Sequence, residues 1–326
     1  MGKFNPDAIQ VGISSCLLGE KVRFDGGHKQ SRFCQDELSQ FFSFQSACPE
    51  MAIGMGTPRQ TIRLVDHGEG IKLQSSKGDF DVTEPMTEFS DSFVKRLGHL
   101  SGYIFCAKSP SCGMERVKVY HSKENHSSRD GIGIFADAVM RAHPLLPCEE
   151  DGRLNDPVLR ENFVTRVFAY HEWQSYAHAG ITAKGLYDFH ARYKYMLMAH
   201  NPKKYYELGP MLANSLKDPS KITQEQLDEV GVNYVNGFMD ILSHNAKRRG
   251  HANTLNHIQG YFKRELSSTE RVALAESIDK YRRGMLPLMA PVTLIKHYLT
   301  LYPNAYIERQ AYLDPHPEVL KLRYNH

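Results

Sequence analysis

The sequence predicts a two-part protein: an α/β domain built on a parallel sheet flanked by helices, Rossmann-like in type, followed by an all-α helical bundle. Three observations predict it. In the first half, short apolar runs alternate with helical patterns. The second half carries only amphipathic helical patterns, two of them opened by capping boxes. Between the halves, "LPCEEDGRLNDP" is rich in Pro, Gly and acidic residues, the composition of a boundary. The expected organisation is therefore a domain over 1–150, a linker over 151–165 and a domain over 166–326. A chain of 326 residues suits two domains of ~150 residues each.

Each element rests on a local signal. "AIQVGISS" is a short apolar run ending in small polar residues, a first strand. "TEPMTEFSDSFVKRLGHL" reads as a helix capped by Thr87, with Phe89, Phe93, Val94 and Leu97 on one face. "GHLSGYIFCAKS" supplies a second strand centred on Tyr103, Ile104, Phe105 and Cys106, and "RVKVYHS" a third. "GIFADAVMRAHP" is a helix ending before Pro144. The GxGxxA spacing of Gly131, Gly133 and Ala136 is a weak dinucleotide signal, because no strand supports it, and reads as a loop entering that helix.

The second half continues with "GLYDFHARYKYMLMAHNP", whose Leu186, Phe189, Tyr193 and Met196 recur at helical spacing. A long helix is expected from the Thr223–Gln226 capping box to Lys247-Arg248-Arg249 before Gly250, with Leu227, Val230, Tyr234, Phe238 and Ile241 on its face. "NTLNHIQGYFKREL" repeats the pattern. A second capping box, Ser267–Glu270, opens a helix that stops at Gly284, and "PVTLIKHYLTLYP" is bracketed by prolines.

Composition bounds the function. Hydrophobic residues make up 41% and charged residues 24%, an ordinary globular profile. No run of 18 or more apolar residues predicts a membrane span, and "MGKFNPDAIQVG" lacks an apolar signal core, so a cytoplasmic protein is expected. The net charge of +3, with the basic excess in the second half, permits a polyanion partner without demanding one. All six cysteines lie in the first half and none forms a CxxC pair. In a reducing compartment they are buried hydrophobes, catalytic thiols or metal ligands rather than disulfides.

Three cysteines share a context. Cys16 in "SSCLLG", Cys48 in "SACPE" and Cys112 in "SPSCG" each follow Ser or Ala and sit beside Gly or Pro. Such turns expose backbone amides that stabilise a thiolate or a sulfur-bound cluster. Their wide separation fits three loops meeting at one site, or else three unrelated buried thiols. Cys34, Cys106 and Cys148 lack the context, lying in a stretch read as helical, an apolar strand and the boundary, and are read as uninvolved.

"GISSCLLGEKVRFDGGHK", "ACPE" with "GMGTPR", and "AKSPSCG" together resemble the 2-thiouracil desulfidase family over roughly residues 8 to 145. The resemblance implies an enzyme: a [4Fe-4S] cluster held by Cys16, Cys48 and Cys112, with one iron left open for the sulfur of a thiocarbonyl substrate, which water replaces. Glu50, two residues after Cys48, is then the general base, and Ser109 assists at the substrate. Ser15, Arg23, Asp25, Arg59 and Ser111 are placed on the substrate side. For Arg23 and Asp25 a structural ion pair is an equal alternative, and for Arg59 a solvated cation. The second half resembles the YbgA-like helical domain over roughly 180 to 320, which implies no transferable chemistry. The expected partners are a small thiolated substrate and an RNA or protein bound through the helical domain, with no membrane. Two other readings remain open: an RNA-associated protein whose cluster is structural or handles the sulfur of thiolated tRNA, and a non-catalytic metal-binding interaction module.

Overall fold

A computed structural model describes residues 9–121 and 126–324. The chain forms two compact units, Met1–Asn155 and Asp156–His326. The first holds β1 (Gln10–Ser14), β2 (Ser43–Ala47), α1 (Pro49–Ala52), β3 (Ile62–Asp66), β4 (Ile71–Ser75), α2 (Thr83–Val94), β5 (Gly102–Phe105), β6 (Val117–His121), β7 (His126–Gly131), α3 (Ile134–Ala142) and β8 (Cys148–Glu150). Sheet A is parallel throughout, in the order β2-β1-β5-β8. Its centre is a run of fully buried residues, Val11 and Ile13 on β1 and Ile104 and Phe105 on β5, as expected for strands covered on both faces. The chain runs from β1 outward to β2 and later returns to β5 on the other side of β1. A topological switch point therefore lies between β1 and β5, and ligands bind beyond the carboxyl ends of such strands.

The structure corrects several expectations. "RVKVYHS" does not join the parallel sheet. As β6 it belongs to a second, mixed sheet, β4-β3-β6-β7, in which only β3 and β6 run parallel. Its alternation explains this: Val117 and Val119 are buried while Lys118 between them is exposed, so one face is wet. Thr87 does not cap α2. The helix begins at Thr83, whose N–H donates to Asp81 Oδ1 at 2.8 Å, and Pro85 is accommodated within the first turn. Thr87 instead donates its hydroxyl to Thr83 O. Cys148 is the first residue of β8, the edge strand, rather than part of a linker.

The second unit comprises α4 (Pro157–His178), α5 (Ala183–His200), α6 (Pro202–Ser215), α7 (Gln224–Ser243), α8 (Arg248–Gln259), α9 (Ser268–Arg282), α10 (Met289–Leu301) and the short α11 (Ala305–Glu308). Both capping boxes form, at Thr223–Gln226 and Ser267–Glu270. The stretch 151–165 is no flexible linker. Asp156 Oδ1 caps α4 by accepting from Val158 and Leu159 N–H, Pro157 takes the first helical position, and Phe163 and Val164 are buried. Nor does the long helix continue to Gly250. It ends at Ser243, and Arg248 and Arg249 open α8. Gly250 lies inside α8, where a Cβ would meet Ala199 O at 2.1 Å, so the glycine permits close helix approach. The aromatic core is Trp173, Phe189, Tyr193, Tyr234 and Phe238.

Burial pushes His316, His190 and His200 of this unit down to about 4. Unfolded histidines titrate near ~6.5, so below that value the folded unit binds fewer protons than the unfolded one. Stability is therefore complete above pH ~6.5 and lost as pH falls toward the folded values. Trp173, the single tryptophan, is buried in this unit, and its fluorescence reports on it. Its unfolding free energy from urea titration, and with it the midpoint, is expected to fall between about pH 7 and about pH 5, the free energy by up to ~2 kcal/mol for a buried histidine such as His316. A midpoint unchanged or raised at the lower pH would contradict burial of neutral rings.

Candidate active site

The carboxyl ends of β1, β2 and β5 lead directly into the cysteine loops. Cys16 lies in the 3-10 turn Ser15–Leu18 that follows β1. Cys48 follows β2 and occupies the N-cap position of α1, with Pro49 at the first helical position. Cys106 follows β5, and Cys112 lies in the turn beyond it. All four cysteines line one cavity of about 390 Å³, together with Ser15, Arg23, Lys29, Glu50, Arg59 and Ser109. Cys106, read from the sequence as uninvolved, is thus at the site. Its position as the first residue past an apolar strand was the signal that could have found it, the same signal that marks Cys16. Lys29, within the "VRFDGGHK" stretch, is another lining residue that the sequence did not single out.

Glu50 ties the loops together. Its Oε1 accepts the Ser111 hydroxyl at 2.6 Å, and its Oε2 accepts Arg59 Nε at 3.0 Å as well as Nη2. Arg59 further donates to Gly56 O at 2.7 Å and Val22 O at 2.9 Å. Its side chain is 5% exposed and that of Glu50 15%. Arg59 is therefore neither a solvated cation nor free to grip a phosphate; its donors are spent holding Glu50 and the loop after Cys16. Removing one partner would leave a buried charge uncompensated, the costly case for such pairs. Gly54 and Gly56, both at positive φ, turn the chain back so that Arg59 reaches Glu50.

Ser111 is fully buried and lies behind Glu50 rather than on the cavity wall. Its carbonyl accepts the Phe135 and Ala136 N–H groups at the start of α3, which anchors the Cys112 turn. Gly133 makes that anchorage possible, since a Cβ there would lie 2.4 Å from Ser111 O. Ser109 accepts N–H bonds from Ser111 at 3.2 Å and Cys112 at 3.1 Å on its hydroxyl oxygen, leaving the O–H hydrogen as its one donor. Asp25 is exposed and outside the cavity wall; its carboxylate accepts Gly27 N–H and closes the turn. Arg23 lines the cavity, its guanidinium 5.6 Å from the Phe24 ring centroid. Lys29 is fixed by Asp151 at 2.9 Å, and Asp151 also accepts Ala107 N–H at 2.8 Å.

The cavity is poorly solvating for thiolates. Burial pushes Cys112 well up, and Glu50, Cys106 and Cys48 add to the effect. Cys48 is raised, first by burial, while the amides of Met51 and Glu50 and the Arg59 guanidinium pull the other way. In the Cys16–Cys106 pair the shared hydrogen bond raises Cys16 and lowers Cys106. Burial acts against Lys29's charge, but Cys106 and Asp151 hold its ammonium above the usual range. Soft sulfur donors and the lining cations Arg23, Lys29 and Arg59 suit an anionic sulfur-ligated cluster. The donor set fits such a group.

Residues 11–151 match the 2-thiouracil desulfurase family, and residues 194–317 match a family described as protein of unknown function (DUF1722). The uncharacterized protein YbgA of Escherichia coli is 42% identical over 166 residues, covering 51% of this chain and 94% of YbgA. The uncharacterized protein YbbK of Bacillus subtilis is 28% identical over 139 residues, 40% of this chain and 89% of YbbK. Among solved structures, the [4Fe-4S]-dependent thiouracil desulfidase TudS is 27% identical with a TM-score of 0.37, covering 45% of this chain and 93% of that one. The chain belongs to the family of YbgA, 94% of which it covers; the 2-thiouracil desulfurase match falls in its first unit and the DUF1722 match in its second. No helix among the described residues is long and apolar enough to cross a membrane.

Proposed function

We propose that the first unit is a [4Fe-4S]-dependent desulfidase that hydrolyses the C=S bond of a thiolated pyrimidine and releases sulfide. The observation that carries this reading is the convergence of Cys16, Cys48, Cys112 and Glu50 on one cavity at the switch point of the sheet. Cys16, Cys48 and Cys112 would hold the cluster. When bound, it supplies Lewis acidity toward a soft substrate sulfur. The rest is done by the protein. Glu50 accepts a proton from the attacking water as the C–O bond forms. Arg59 and Ser111 hold its carboxylate in place, so that no side-chain freedom is lost during the reaction. The remaining O–H of Ser109 donates to charge developing on the substrate. Sulfur leaves as sulfide and a carbonyl remains, with no net oxidation or reduction. Arg23 and Lys29 supply the positive wall.

Glu50→Gln keeps the shape and removes the proton-accepting charge. After anaerobic reconstitution it is expected to retain about four irons per chain while sulfide release from 2-thiouracil falls ~10²–10⁴-fold. Turnover at the wild-type rate would exclude Glu50 as base, and loss of iron would make it a support of the cluster instead.

One surface of the second unit favours a thiolated base presented within RNA. Tyr205 and Tyr206 lie 5.3 Å apart between centroids, Tyr261 stacks on Tyr306 at 5.8 Å, and the Arg309 guanidinium sits over the Tyr306 ring. Tyr206 is 59% exposed. Exposed rings beside cations are the elements of a single-stranded nucleic-acid surface. The full chain is expected to bind a single-stranded RNA oligonucleotide with strong salt dependence, and Tyr206→Ala with Tyr261→Ala to weaken it about tenfold or more. Binding indifferent to both changes would discard this surface.

A further inference from the structure

We infer that Cys106 is a fourth cluster-facing thiol, an exchangeable ligand that occupies the open iron until a substrate sulfur replaces it. This rests on the cluster reading above and concerns a cysteine outside the three-cysteine set. Four observations carry it. Cys106 lines the same cavity as Cys16, Cys48 and Cys112. Its Sγ lies 4.0 Å from the carbonyl oxygen of Ala107, the next residue on the same cavity wall. Its backbone is pinned on both sides, with its own N–H on Ser14 Oγ at 3.0 Å and the next N–H on Asp151 Oδ1 at 2.8 Å, so the thiol is built into the wall. The Lys29 ammonium, fixed by Asp151, lines the same cavity and suits an anionic sulfur there.

The chemistry is ligand exchange. An iron with three protein thiolates on its neighbours and none of its own takes up any soft donor within reach. Clusters are ordinarily closed by four cysteines. Cys106 can close this one without being required for its assembly, because Cys16, Cys48 and Cys112 already anchor three corners. With a cluster bound, a substrate sulfur would displace the Cys106 sulfur, and the thiolate would return when sulfide leaves. No electron is transferred in either direction.

The test uses the full chain, reconstituted anaerobically, with iron content and electron paramagnetic resonance as readouts. Ferricyanide removes one electron from the cluster, and an incompletely ligated iron then departs as Fe²⁺ to leave a paramagnetic [3Fe-4S] product. Cys106→Ala is expected to assemble the same iron content as wild type and to form that product about tenfold faster or more, with Cys106→Ser intermediate and Cys34→Ala, a buried thiol that does not line the cavity, unchanged. Equal conversion rates for wild type and Cys106→Ala would overturn the proposal, as would a Cys106→Ala protein that assembles no cluster, which would make Cys106 an obligatory ligand. A wild-type chain that takes up no iron would instead sink the cluster reading itself.

Discussion

The buried Glu50–Arg59 pair is the knot on which the site depends. Glu50 follows Cys48 by two residues, bonds Ser111 next to Cys112, and is held by Arg59, which also bonds Val22 in the loop after Cys16. One carboxylate thus joins the three cysteine loops, which are far apart in sequence. An isolated buried carboxylate would be costly, and the guanidinium with its fixed fork of donors satisfies it. The remaining Arg59 donors find backbone carbonyls, so the loops are tied by charge-assisted bonds rather than by apolar packing. Loops at a ligand site offer little apolar surface to bury, which is why such a polar knot is needed to hold them.

Around this knot the parallel sheet supplies the rigid frame. β1, β2 and β5 end at one edge, and each is followed within two residues by a cavity-lining cysteine. β8 contributes from behind: the buried Glu150 carboxylate accepts Met114 N–H at 2.7 Å and so fixes the chain just after Cys112. Burial comes first in pushing Glu150 up, an effect its bonds to Met114 and Glu115 oppose. The result is a cavity rich in soft donors and held from all sides. Sulfur ligation makes use of that rigidity, since ligands preset by their surroundings bind with less ordering cost.

Much of this was legible in the sequence, for identifiable reasons. β1 and β5 are continuous apolar runs, and both capping boxes carry their own local signature. The Pro-Glu after Cys48 and the glycines of "GMGTPR" marked a loop with chemistry in it. What was missed depends on partners distant in sequence. β2, "SFQSA", has little strand character and exists because β1 offers it a ladder from Gln10↔Ser43 to Ser14↔Ala47. β8, "CEE", reads as solvated acid until Arg153 and the Met114 amide are placed against it. Cys106 and Lys29 were overlooked because their significance lies in Cys16 and Asp151. Lys247-Arg248-Arg249 looked like the close of a helix because basic residues favour helix ends, whereas the turn at 244–247 has no Gly or Pro to announce it.

The central claim is that Cys16, Cys48 and Cys112 hold one iron–sulfur cluster beside Glu50. Diffraction from anaerobically reconstituted crystals, with data collected at the iron absorption edge, tests it most directly. The account predicts a single compact anomalous peak in the cavity at the ends of β1, β2 and β5, of about four irons, bonded to these three sulfurs and near the Glu50 carboxylate. Iron bound elsewhere, a single-metal site in that cavity, or a cluster to which Cys48 does not contribute would contradict it.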